Sequence, residues 1–253
     1  CKYFLKRSLK NEIKNKLRIE KSILFLEVWM KKHYKLLFMV LILVFVFSIY
    51  RLFPKQKLNY IALGDSVAEG RNPYGETGFS YADFFYEKLN QEGKIKDYKK
   101  EYSHSGYTTT DVINDIIRSG DMKRDLRESD LVTISIGAND FLDSLDLKNV
   151  NLDNIDLYKK NMKSIFPNID HCIKEIRKYA KNKIYIIGYY NPLPFLYNLG
   201  SEKIDALFHS VDQAYQKIAD KYDCVYISNY ELFKEHPEYL PNPMDIHPNL
   251  KGY

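Results

Sequence analysis

A few residues, far apart in the chain, have the types that acyl transfer requires. Ser66 stands in the turn "GDSVAEG" (64–70), directly after a short apolar run; Gly106 lies in "HSGYTTTD", Asn139 in "GANDF", and Asp245 and His247 in "PMDIHPN". A serine hydroxyl that attacks a carbonyl leaves a tetrahedral oxyanion, which needs hydrogen-bond donors placed in advance. The backbone N–H groups of Ser66 and Gly106 and the side-chain amide of Asn139 would supply three. Glycine at 106 lets the backbone approach a substrate with no Cβ in the way. The serine also needs a base. Of the six histidines, His33 is in the leader, His171 and His209 fall in helical patterns, His104 is beside Gly106, and His236 and His247 are near the C-terminus. His247 is the best candidate, because Asp245, two positions earlier, could bond one ring nitrogen and leave the other to accept the serine proton. Taken singly, each residue is ordinary. Gly-Asp-Ser suits any tight turn, and an asparagine caps helices. His104 is read as a neighbour of the site rather than a participant.

Whether these residues meet depends on the elements that carry them. From residue 59 onward short apolar runs alternate with helical periods. Strands are expected at 60–63, 99–102, 131–136, 183–189 and 224–228, and helices at 79–92, 110–127, 155–181 and 202–222. Such alternation predicts an α/β fold with a parallel sheet covered on both faces. In an open sheet of that kind ligands bind beyond the carboxyl ends of the strands, where strand order reverses. Ser66, Gly106 and Asn139 each follow one of the first three strands, and in the order 2-1-3-4-5 they converge. The Gly-x-Ser-x-Gly elbow of the α/β-hydrolase fold is absent, because Ala68 stands where its second glycine would be.

The four blocks "GDSVAEG", "SG" (105–106), "GAND" (137–140) and "DIHPN" (245–249) resemble, in order and spacing, those of the SGNH or GDSL-type serine esterases and lipases. The resemblance covers nearly all of residues 58–253. It implies a flavodoxin-like three-layer α/β/α sandwich on a five-stranded parallel sheet, Ser66 as nucleophile, Gly106 and Asn139 as oxyanion donors, His247 as base, and neither metal nor cofactor. The pattern departs in places. Many members carry the acid three residues before the histidine, where this chain has Met244, so Asp245 is the candidate acid at an unusual spacing. Val67-Ala68 follows the serine where Leu is commoner. The chain also stops at Tyr253, where family members begin a closing helix, so the domain is expected to be truncated.

Charge separates the chain into two parts. Residues 1–57 hold 14 Lys or Arg and 3 Asp or Glu, whereas residues 58–253 hold 24 basic and 30 acidic residues. The basic character belongs to the leader, and the body has no reason to seek nucleic acid. Residues 36–50, "LLFMVLILVFVFSIY", are uncharged; with Arg51, Leu52 and Phe53 the segment 36–53 is just long enough to span a bilayer. Lys31, Lys32 and Lys35 precede it, which keeps the N-terminus cytoplasmic and sends the body across. No small-residue cleavage site follows, so an uncleaved signal anchor is favoured over secretion after cleavage. Residues 1–35 form a basic N-terminal segment. Met30 opens "MKKHYK" like a natural start, which would make 1–29 foreign to the protein; a real cytoplasmic tail and a lipidated Cys1 are the alternatives.

Together these readings predict a membrane-tethered extracytoplasmic esterase of lipase or lysophospholipase type, with an O-acetyl esterase of envelope polysaccharide as alternative. A non-catalytic binding module on the same fold is the competing class. The aromatic loops 72–81 and 189–198 follow strand ends where substrate-binding loops belong. Cys172 and Cys224 are read as buried free thiols rather than a disulfide, and the Leu- and Asp-rich stretch 142–157 as a loop without calcium-loop spacing.

Overall fold

The computed structural model describes residues 2–52, 57–144, 155–192 and 197–253. It divides into two units, Cys1–Lys55 and Gln56–Tyr253. The first contains one helix, α1 (Lys2–Leu52). Neither Gly nor Pro interrupts residues 2–53, and Pro54 follows, so helix propagation meets no breaker before that point. Large apolar side chains along α1, among them Phe25, Phe38 and Phe45, are exposed. Among the described residues no helix is long and apolar enough to cross a membrane. The segment expected to do so, 36–53, falls in part on residue 53 and on side chains at 37, 46 and 49–52, which lie outside those described.

The second unit is built on strands β1 (Leu58–Gly64), β2 (Ile95–Ser103), β3 (Leu131–Ser135), β4 (Lys183–Ile187) and β5 (Val225–Ile227). All pairings are parallel and the order is β2-β1-β3-β4-β5, as the resemblance implied. Helices α2 (Ser66–Glu69), α3 (Tyr81–Gln91), α4 (Thr109–Arg118), α5 (Gly120–Glu128), α6 (Ala138–Leu142), α7 (Ile155–Tyr179), α8 (Tyr197–Lys221) and α9 (Tyr230–Glu235) connect and cover the strands. On one face Ile61, Leu63, Val132, Ile134, Ile184 and Ile186 join the main core with α4, α5, α7 and α8. On the other, Tyr60 and Ala62 pack with Ala82 of α3. Each fully buried aliphatic side chain contributes about 1.5–3 kcal/mol.

Two of the differences from expectation have local reasons. The second strand extends over Ile95–Ser103 rather than 99–102; it is a sheet edge, so its charged run "KDYKKE" can face water and hides the apolar signal. The helix expected at 110–127 breaks at Ser119, which closes α4 and whose hydroxyl accepts from the N–H of Met122 to start α5. Cys172 and Cys224 are free; Cys172 is buried, Cys224 half-buried, and burial pushes both thiols up. Most of the Asp-rich stretch, 145–154, lies outside the described residues.

Candidate active site

β1 ends at Gly64, whose φ of +132° is a left-handed conformation and where a Cβ would stand 2.0 Å from the carbonyl oxygen of Ser135. Only glycine lets β1 approach β3 this closely before the chain turns. Asp65 then caps α2, its Oδ1 accepting from the N–H of Val67 at 3.0 Å, which sets Ser66 at the first helical position. The N–H of Ser66 therefore has no acceptor within the helix. The side chain of Ser66 is buried, and its Oγ lies 2.8 Å from Nε2 of His247.

His247 comes from a stretch with no regular structure after the 3-10 turn at Pro237–Tyr239. Its other ring nitrogen, Nδ1, is 2.6 Å from Oδ1 of Asp245, and the same oxygen accepts the backbone N–H of His247 at 2.8 Å. Asp245 thus bends the chain back on itself so that a carboxylate two residues away reaches the imidazole. With Nδ1–H donating to the carboxylate, Nε2 is left as an acceptor facing the Ser66 hydroxyl, the arrangement in which a histidine takes a serine proton.

The oxyanion candidates come from the neighbouring strand ends. Gly106, φ +85°, lies in the turn after β2, and its N–H has no acceptor among the described residues. Asn139 lies in α6, and one of its amide hydrogens is held by the carbonyl of Tyr107 at 2.8 Å, leaving the second to donate elsewhere. That bond ties the loop after β3 to the Gly106 turn. Asp140 reinforces it by accepting both the N–H and the hydroxyl of Thr109, at 2.9 and 2.5 Å. His104 stays outside this constellation: its N–H donates to the carbonyl of Gly64 and its ring lies against Tyr107.

The model of the GDSL-like Lipase/Acylhydrolase family matches residues 62–253. The chain belongs to that family. As a member it is a carboxylic ester hydrolase. No curated protein sequence matches it. Among solved structures, a lipase from a goat rumen metagenome is 22% identical over 77% of this chain and 91% of its own, with a TM-score of 0.59. An acetyl xylan esterase of Geobacillus stearothermophilus is 19% identical over 79% and 91%, with a TM-score of 0.51. An extracellular lipase of Streptomyces rimosus is 17% identical over 75% and 92%, with a TM-score of 0.54. At these identities the likeness shows the shared fold.

Within the first block the structure gives Asp65 and Glu69 contacts that the sequence does not announce. Asp65, directly before Ser66, is buried. It also accepts from the Ser135 hydroxyl at 3.0 Å and from the Tyr189 hydroxyl. Burial pushes its carboxyl up to about 6 from the ordinary 3.8, against the hydrogen bonds from Tyr189, Val67 and Ser135, which favour the anion. Glu69, at the end of α2, accepts the backbone N–H of Ser105 at 3.0 Å and its hydroxyl, clamping the turn that carries Gly106.

Beside Ser66 opens a cleft. Its walls are mostly apolar: Phe141 and Leu142 of α6, Ile165 and Phe166 of α7, Phe208 and Val211 of α8. Of the two aromatic loops expected to meet substrate, the second contributes Tyr189, Tyr190 and Pro192 to this cleft, while 193–196 lie outside the described residues. The first does not line it; Asn72 there caps a turn through the N–H groups of Tyr74 and Glu76. Among the described residues no three His, Cys, Asp or Glu side chains cluster as metal ligands.

Proposed function

We propose that this chain is a membrane-tethered, extracytoplasmic esterase of lipase type. It cleaves esters of hydrocarbon acyl chains through an acyl-enzyme on Ser66. The observation that carries this reading is the hydrogen-bonded series Asp245–His247–Ser66 opening directly onto an apolar cleft. His247 removes the proton as Ser66 Oγ attacks the carbonyl carbon. The N–H groups of Ser66 and Gly106 and the free amide hydrogen of Asn139 receive the oxyanion, and His247 returns the proton to the departing alcohol. Water, activated by the same imidazole, then attacks the acyl-serine and releases the acid.

An acyl chain laid among Phe141, Ile165, Phe166 and Val211 leaves water for apolar walls, at about 0.8 kcal/mol per buried methylene. An acetyl group offers too little hydrocarbon to meet more than a few of those apolar walls, so the polysaccharide O-acetyl esterase is the weaker alternative. Tethering rests on the segment 36–53, the lysines before it and the exposed apolar side chains of α1 such as Phe38, Leu41 and Phe45.

Purified protein should hydrolyse nitrophenyl esters of medium acyl chains faster than the acetate, and Ser66→Ala should abolish both activities and the covalent labelling by a fluorophosphonate. Full turnover by Ser66→Ala sinks the catalytic assignment; a clear preference for acetate, with acetate released from an acetylated envelope polymer, favours the polysaccharide reading. Recovery of the protein cut and free outside the cell would remove the tether.

A further inference from the structure

The base in this site sits on a loop without secondary structure, and the nucleophile sits on a helix of four residues. Something else must fix the distance between them. We propose that the consecutive tyrosines Tyr189 and Tyr190 form a bracket that does so, acting as positioning residues for the reaction proposed above, on which this inference rests. The Tyr189 hydroxyl donates to Asp65, the residue before Ser66. The Tyr190 hydroxyl donates to the carbonyl of Ile246, the residue before His247, at 2.8 Å. Neighbours on one stretch of backbone thus hold the two arms of the Ser66–His247 contact.

The stretch itself is anchored. Gly188, just before the pair, donates its N–H to Ile227 of β5 at 2.7 Å and accepts from the side chain of Asn229 at 2.9 Å. Tyr190 is buried and stacks on Phe233 of α9, with ring centroids 4.0 Å apart and planes at 12°. On the other arm, Asp65 cannot drift toward Tyr189, because its second oxygen is held by Val67 and Ser135. Burial raises both tyrosine hydroxyls well above their ordinary range, so they remain donors. Other bonds to the base loop, Asn242 to Pro73 and Asn249 to Tyr239, hold its flanks farther from His247.

The test is removal of each hydroxyl with the ring retained. Tyr189→Phe and Tyr190→Phe should each lower kcat on a nitrophenyl ester about 10- to 100-fold, because a loosened near-attack geometry slows chemistry without weakening binding. KM should move less than about twofold, and the rate of fluorophosphonate labelling of Ser66 should fall in step with kcat. Since both hydroxyls set one distance, the double variant should lose no more than about the worse single variant, not the product of the two. Tyr222→Phe, which removes a hydroxyl bonded to Asp170 outside the site, should leave kcat unchanged. Folded single variants with kcat within twofold of the parent, losses that reside in KM, or multiplicative losses would each overturn the bracket. Ser66→Ala assayed in parallel separates the two failures: activity there ends the catalytic reading, whereas a dead Ser66→Ala beside normal tyrosine variants ends only the bracket.

Discussion

Replacing Asp65 by Asn should change how stability depends on pH, and the size follows from where the carboxyl sits. In the unfolded chain it titrates near 3.8; in the fold burial holds it at about 6. The folded state therefore keeps the proton longer than the unfolded state does. The group's contribution is most favourable below 3.8, is lost as pH rises through about 6, and is constant above that. A difference of about two pH units corresponds to about 3 kcal/mol. Asn imitates the protonated acid: its oxygen can still accept from Val67 and Ser135, and its amide can donate to the Tyr189 hydroxyl. The variant should thus match the parent near pH 4 and exceed it by up to about 3 kcal/mol at pH 7. Urea unfolding of both proteins at half-unit steps from pH 4 to 7.5 measures the difference directly, because other titrating groups cancel between them. A gap that stays constant over that range, or that widens toward acid, refutes the argument.

Other outcomes follow from single contacts. Asp245→Asn should lower kcat about 10³- to 10⁴-fold with the fold intact, since an amide that donates toward Nδ1 sets the wrong tautomer of His247; steady-state kinetics and a melting curve decide it. Asn139→Ala should lower kcat about 10²- to 10³-fold with little change in KM, read in the same assay. Gly64→Ala should prevent folding or lower the melting temperature sharply, because its Cβ would stand 2.0 Å from a backbone oxygen that the paired strands hold in place. Glu69→Ala should leave stability nearly unchanged and reduce kcat, by freeing Ser105 and with it the Gly106 turn; a reduced melting temperature with normal kcat would contradict this.

The parallel sheet was legible because its central strands carry runs such as "LVTIS" and "KIYII", which the two covering layers require to be apolar. Edge strand β2 was only partly legible for the opposite reason. The short helices α2 and α6 left no periodic trace, since four or five residues do not complete a pattern with a 3.6-residue period. The cleft was legible only through the loop that supplies Tyr189, Tyr190 and Pro192. Ile165, Phe166, Phe208 and Val211 lie on α7 and α8 with the spacing of core residues, and the sequence holds no mark that separates a side chain facing the core from one facing a cavity.

Asp245 and the tyrosine pair show how the limits of sequence differ between local and distant geometry. A two-residue spacing between acid and base looks too short if the chain is taken as extended, yet one carboxylate oxygen that accepts both the N–H and the Nδ1–H of His247 closes a turn in which two residues suffice. That solution is local, and the residues 245–247 contain everything it needs. Tyr189 and Tyr190, by contrast, have partners 124 and 56 positions away. In the sequence they look like aromatic loop residues fit to touch substrate, and Tyr189 does line the cleft. Their hydroxyls acquire a role only once the strand order brings the ends of β1 and β4 to opposite sides of β3 and the C-terminal loop returns across them. The motif blocks identify atoms that can do chemistry, while the distance between those atoms is set by residues outside the blocks. Variation at positions 189 and 190 is therefore expected to tune rate in this chain even where every motif residue is kept.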